Sequence, residues 1–153
     1  ENTDKMRGYR IEDARNQPVY GKYIPDYVPD NVEFASCVFN YDVDDKTKET
    51  LATTEMSLLY ENKDGKFAYV EMRFGGPEKR ENHIYTDEDN GVRHDENVPL
   101  SELTADSFKI IIDEETDFIY SVCVFEADIW LEFTADNVDV EQALMMIRDA
   151  FDN

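Results

Sequence analysis

The stretch SLLYENKDGKFAYVEMRF, residues 57–74, constrains the fold of this chain more than any other. Met56, Leu58 and Tyr60 alternate with Glu55, Ser57, Leu59 and Glu61 before an Asn62-Lys63-Asp64-Gly65 turn, and Ala68, Val70, Met72 and Phe74 alternate after it. A period of two places each set on one face of a strand. Glycine at the end of the turn takes a positive φ at no steric cost. The pattern predicts a β-hairpin with arms at about 54–61 and 66–74, inside a sheet that buries one face. Its tip reads as scaffold: Asp64-Gly65 closes the turn, and Lys63 and Lys66 solvate it.

Other segments extend the sheet. Val32 to Tyr41 alternates with apolar residues on both faces, Val32, Phe34 and Val38 against Ala35, Cys37, Phe39 and Tyr41, which predicts a strand covered on two sides or a central one. FKIII (108–112), FIYSVCVF (118–125) and IWLEF (129–133), joined by short acidic turns, read as a β-meander. A helix ends the chain. Asp139 is its expected N-cap, with Gln142 as the reciprocal partner of a capping box. Val140, Leu144, Ile147 and Phe151 form its expected apolar stripe, flanked by Ala143 and Ala150, with Met145 and Met146 at the boundary or exposed. The fold class is α+β: an antiparallel sheet of six or seven strands, a meander in its C-terminal half, and a C-terminal α-helix on one face.

Residues 1–17 are polar and read as a partly flexible lead-in with a short helical turn, ahead of a single domain over 18–153. VYGKYIPDYVPDNVEF follows. Pro25 and Pro29 bias Ile24 and Val28 toward extended backbone, so the segment is expected to be an arm that lays Tyr20, Tyr23 and Tyr27 along the surface or over a sheet edge. Residues 78–106 are the least regular, with a short strand expected at 83–86 and then the acidic run TDEDNGVRHDENVP.

Charge narrows the partners. The chain carries 36 acidic and 15 basic residues, a net charge of −21. Nucleic acids and anionic membrane surfaces need Lys and Arg to displace counterions, so neither is an expected partner. Cationic peptides, a basic protein face or divalent metal ions suit the field better, the expected partner is a protein, peptide or envelope ligand, and the excess charge also favours a soluble monomer. No apolar run approaches a membrane span. The chain opens on Glu1, so it is expected to be a processed or trimmed product that touches a membrane only through an N-terminal anchor ahead of it.

The chemistry-bearing residues are sparse. Only His83 and His94 are available as bases, neither Cys37 nor Cys123 sits in an exposing turn, and there is no GxSxG, so no catalytic residue is assigned and no enzyme is expected. No Cys/His cluster or HExxH occurs, and Asp87–Gly91 fails the EF-hand register, so no metal site is assigned. Asp42, Asp44 and Asp45 read as solvated loop acids. Gly75-Gly76 runs into proline rather than a helix, which excludes a P-loop or dinucleotide fold and leaves no cofactor assigned. Cys37 and Cys123 read as buried free thiols unless the fold sets them side by side. Trp130, with Tyr120 and Phe125, is the candidate set for contacting a ligand: if these aromatics line a concave sheet face, the chain becomes a carrier of a lipid or small apolar molecule, or a small enzyme.

YIPDYVPDNVEF, LLYENKDGKFAYVEMRF and the closing IWLEF with its acid-capped helix resemble a domain-of-unknown-function family of Firmicutes. The matching positions are Tyr23, Pro25, Val28, Pro29, Val32 and Phe34, then Tyr60, Asn62, Asp64, Gly65 and Lys66, and the resemblance runs from about residue 20 to 152. That family is the extracytoplasmic part of membrane-anchored proteins or lipoproteins, some of them anti-sigma-factor-like. The resemblance implies a tethered, cell-surface setting, a ligand-sensing role and no catalytic residues.

Overall fold

A computed structural model describes residues 2–76, 92–94, 107–113, 118–124 and 129–152. Its strands are β1 (Asn2–Gly8), β2 (Val32–Val43), β3 (Thr50–Asn62), β4 (Tyr69–Gly75), β5 (Val92–His94), β6 (Ser107–Asp113), β7 (Phe118–Val124) and β8 (Trp130–Asp136). The helices are α1 (Ile11–Arg15) and α2 (Val140–Asp152), with a 3-10 turn at Gly21–Tyr23. All strands join one sheet in the order β1-β2-β3-β4-β8-β7-β6-β5, and every pairing is antiparallel. Two four-stranded meanders therefore meet at a seam between β4 and β8. The fold is α+β, an antiparallel sheet with a C-terminal helix.

Six strands lie where alternation places them. The other two are β1 and the three-residue β5. β1 comes from the polar lead-in and pairs with β2 from Asn2 opposite Val43 to Gly8 opposite Cys37. The expected helical turn is α1. An edge strand needs no apolar stripe, because backbone pairing on one side holds it, and that is why NTDKMRG carried no strand signal. The strand expected at 83–86 lies outside the described residues.

β2 is a central strand, paired with β1 and β3, but its two apolar faces have a different origin from a double cover. A β-bulge lies between Phe34 and Ser36, so Phe34 stands opposite Tyr60 while Cys37 and Phe39 stand opposite Leu58 and Met56. The extra residue, Ala35, switches the inward parity from even to odd numbers. One face turns toward the core throughout, with Val32 and Cys37 buried and Phe34 and Phe39 partly buried. The sequence shows both parities because each serves half of the strand.

That face carries Met56, Leu58, Tyr60, Val70, Met72, Phe74, Leu131 and Phe133, all buried. The arm lies over it, not along an edge. Tyr20 and Tyr23 stack on Phe74 at ring-centroid distances of 6.3 and 6.4 Å, and the Tyr20 hydroxyl donates to the Thr54 carbonyl at 3.0 Å. Pro25 then sends the chain alongside α2. There Asp149 accepts the backbone N–H groups of Asp26 and Tyr27 at 2.6 and 2.8 Å.

Helix α2 sits rotated from the expected stripe. Its buried residues are Ala143, Met146, Ile147 and Ala150, with Val140 and Leu144 on the flank. The small side chains let the helix axis approach the sheet, which turns the contact line by roughly 80° at 100° per residue. Met146 is thereby fully buried, against expectation, while Met145 is 49 % exposed. Asp139 does cap the helix, accepting the Gln142 N–H at 3.1 Å. The Gln142 side chain does not close the capping box, because it exchanges hydrogen bonds with the backbone N–H and carboxylate of Asp30 in the arm.

Cys37 is a buried free thiol. Three strands separate β2 from β7, about 19 Å at the usual strand spacing, so the backbone of Cys123 is far beyond disulfide reach. Burial pushes the Cys37 thiol up, and Asp13 adds to that against the opposing Gly8 backbone hydrogen bond and Arg7 charge. The thiol is protonated and shielded at neutral pH.

Candidate binding face

The opposite, outer face of the sheet differs in kind. By strand alternation it holds Ser57, Arg73 and Glu132 in one row across β3, β4 and β8, with Glu55 diagonal to Arg73. The Arg73 guanidinium spans two carboxylates, donating to Glu55 at 3.0 Å and Glu132 at 3.1 Å. Both acids are nearly withdrawn from water, at 4 % and 8 % exposure. Burial alone would lower the Arg73 pKa; the hydrogen bond to Glu55 and the charges of Glu132, Glu55 and Glu71 reverse that and raise it. The trio is locked together and keeps a net negative charge.

A second row lies two same-face steps toward the hairpin end, beyond the row of Leu59, Glu71 and Thr134. Glu33 of β2 stands directly opposite Glu61 of β3. Glu61 stands opposite Tyr69 of β4, Tyr69 opposite Asp136 of β8, and Asp136 opposite Phe118 of β7. Three carboxylates and two aromatics thus share one row across five strands, with Glu33 and Glu61 adjacent and Asp136 between Tyr69 and Phe118, and Glu71 follows Tyr69 on the same face. Phe67 packs edge-on against Tyr69 with centroids 5.8 Å apart and is 65 % exposed. Partial burial raises the Tyr69 pKa first, and the charges of Asp136 and Glu71 raise it further.

The aromatic set expected to contact a ligand is placed differently. Trp130 stands between Gly75 and Val124 in the register, and Tyr120 stands opposite Thr134. Both positions alternate with Leu131 and Phe133, which sets them in the outer-face parity. They are four residues apart along the paired strands, about 13 Å, so the register does not make them neighbours. Phe125 lies outside the described residues. So do His83 and Asp87–Gly91, whereas His94 falls on β5 opposite Ile111.

Asp44, one of the acids read as solvated, shapes its loop. It accepts the N–H groups of Lys46 and Thr47 at 2.8 and 2.9 Å, and these bonds lower its pKa. Among the described residues no group of three His, Cys, Asp or Glu side chains could hold a metal ion. No described helix is long and apolar enough to cross a membrane. Sequence reasoning missed Arg73, Tyr69 and their carboxylates because the pattern exists only once β8 lies beside β4. The local signal was the unbroken polar parity Glu71, Arg73 in a strand of otherwise apolar residues. No family model, no curated protein and no solved structure matches the chain.

Proposed function

We propose that the chain is a non-catalytic binding module whose outer sheet face receives a protein, peptide or envelope ligand. The observation that carries this reading is the asymmetry of the sheet. The arm, α1 and α2 contribute to one core with the inner face, whereas the outer face presents interleaved carboxylates and aromatics. The resemblance drawn from the arm and the hairpin supports an extracytoplasmic setting in a membrane-anchored, signal-sensing protein. The carrier reading has weaker support. Met146, Ile147 and both helix alanines fill the space between α2 and the sheet, and the depression lined by Tyr27, Met145, Arg148 and Asp149 is open at the surface.

The test compares retention of solubilised envelope material from the source cells on the immobilised domain. Wild type is set against S57R/T134R, which adds two positive charges to the outer face and lowers its net negative charge. Loss of retention in the variant supports the reading; unchanged retention removes this face from it. Protease accessibility of the native protein on intact cells tests the setting, and protection from added protease would overturn it.

A further inference from the structure

The row running from Glu33 to Phe118 is arranged at a cost to the fold. Like charges directly opposite on neighbouring strands are destabilising, yet Glu33 faces Glu61 with no cation between them. Among the described residues Glu33, Glu61, Glu71 and Asp136 make no ion pair, and the nearest basic side chains of the turn, Lys63 and Lys66, make none with them. Arg73 has both arms committed to Glu55 and Glu132. Beside this charge, free of ion pairs though Glu71 still feels the Arg73 field, stand the exposed Phe67 ring and Tyr69, an aromatic pair fixed by its edge-on contact. Carboxylates flanking exposed aromatic faces have the chemistry that recognises ammonium and guanidinium groups, through charge-assisted hydrogen bonds and cation–π contact. A sheet face with a repeat of two residues also matches an extended chain in spacing.

We propose that this row is the docking site of a basic polypeptide segment, with Lys or Arg side chains seated on Phe67 and Tyr69 between Glu61, Asp136 and Glu71. The inference rests on the binding-module reading and specifies its partner. The complementary charge is the protein's own: a net charge of −21 repels an acidic segment at long range and steers a basic one toward the face.

The experiment measures binding of a short fluorescein-labelled peptide of alternating Lys and Ser to the whole chain, by anisotropy. E61Q/D136N is expected to weaken binding about tenfold, and F67A about threefold. E12Q/E141Q removes the same charge from exposed helix positions and is expected to weaken it less than about twofold. In the absence of peptide, E61Q relieves the Glu33 contact and is expected to raise Tm by about 1–2 °C, which shows that the variant folds. Equal weakening by the two double variants means bulk attraction only and overturns the proposal. Amide chemical-shift mapping separates the remaining outcomes. Shifts centred on Glu61, Tyr69 and Asp136 support the row. Shifts elsewhere on the outer face overturn the row and leave the binding-face reading standing, while shifts confined to the arm and α2 overturn both.

Discussion

The two faces of one sheet are held by different physics. The inner face is a layer of apolar side chains closed by Tyr20, Tyr23 and the alanine-bearing side of α2. Its stability comes from area removed from water and from close packing, so it depends on shape and is insensitive to salt. The outer face joins the same strands through charge: Arg73 bridges β4 to Glu55 of β3 and Glu132 of β8. Interactions of that kind depend on geometry, pH and a complete set of partners. Strand alternation lets six residues of one strand serve both regimes at once, as Val70, Met72 and Phe74 do beside Tyr69, Glu71 and Arg73. Packing one face leaves the other free to carry charge that the fold alone does not require.

The sharpest way to break this contrast is at the helix. Met146→Ala opens a void under α2 and is expected to cost about 3 kcal/mol in chemical denaturation, whereas Met145→Ala stays within about 0.5 kcal/mol. Similar losses at both sites would return the helix to the orientation its apolar stripe suggests. On the outer face, Arg73→Met leaves Glu55 and Glu132 without their shared cation. The expected loss is about 2 kcal/mol at neutral pH, below the usual range for a buried pair because the guanidinium is partly exposed. Restoring neutrality with E55Q/R73M/E132Q should recover most of that loss; no recovery would mean that Arg73 acts by packing its stem.

Smaller effects sharpen the comparison at the rims of the core. Asp149→Asn replaces a carboxylate that accepts two arm N–H groups by a neutral amide, with an expected loss of about 1 kcal/mol and faster hydrogen exchange at Asp26 and Tyr27. The smallest effect belongs to Tyr60, whose buried hydroxyl has no hydrogen-bond partner among the described residues. Tyr60→Phe is expected to be neutral or to stabilise by up to about 1 kcal/mol. Burial raises the Tyr60 pKa, with the Cys37 charge adding and the Arg15 charge opposing. A phenol whose pKa is higher folded than unfolded supports the fold fully below about pH 10, the ordinary value for tyrosine, and loses that support as pH rises toward the folded value. Tm should therefore fall above about pH 10 in wild type and fall less in Tyr60→Phe, as measured by thermal melts across that range.

How much of this was legible in the sequence follows from range. The hairpin, the Asp139 cap and the C-terminal meander rest on residues within a few positions of one another, and alternation or capping chemistry states them directly. The bulge at Ala35 was visible only as excess apolar character on both parities of β2. Reading it required the opposite strand, because Tyr60 and Leu58 decide which parity is inward. The helix rotation escaped because hydrophobicity favours Leu144 over Ala143, whereas approach distance favours the alanine. The charged rows escaped for the strongest reason: Glu132 and Asp136 become neighbours of Arg73 and Tyr69 only through pairing between distant segments.

That pairing also has a consequence in time. Arg73 and Glu132 are 59 residues apart in the chain, yet they sit face to face at the seam between the two meanders. Each meander can assemble from contacts between successive strands, but the seam closes a long loop and bears its entropy before it returns any contact energy. The step that registers β8 against β4 is therefore expected to limit the folding rate. Destabilising substitutions along the seam should slow refolding, while those at the β1 edge should chiefly hasten unfolding, a division that stopped-flow refolding of the two sets of variants can measure.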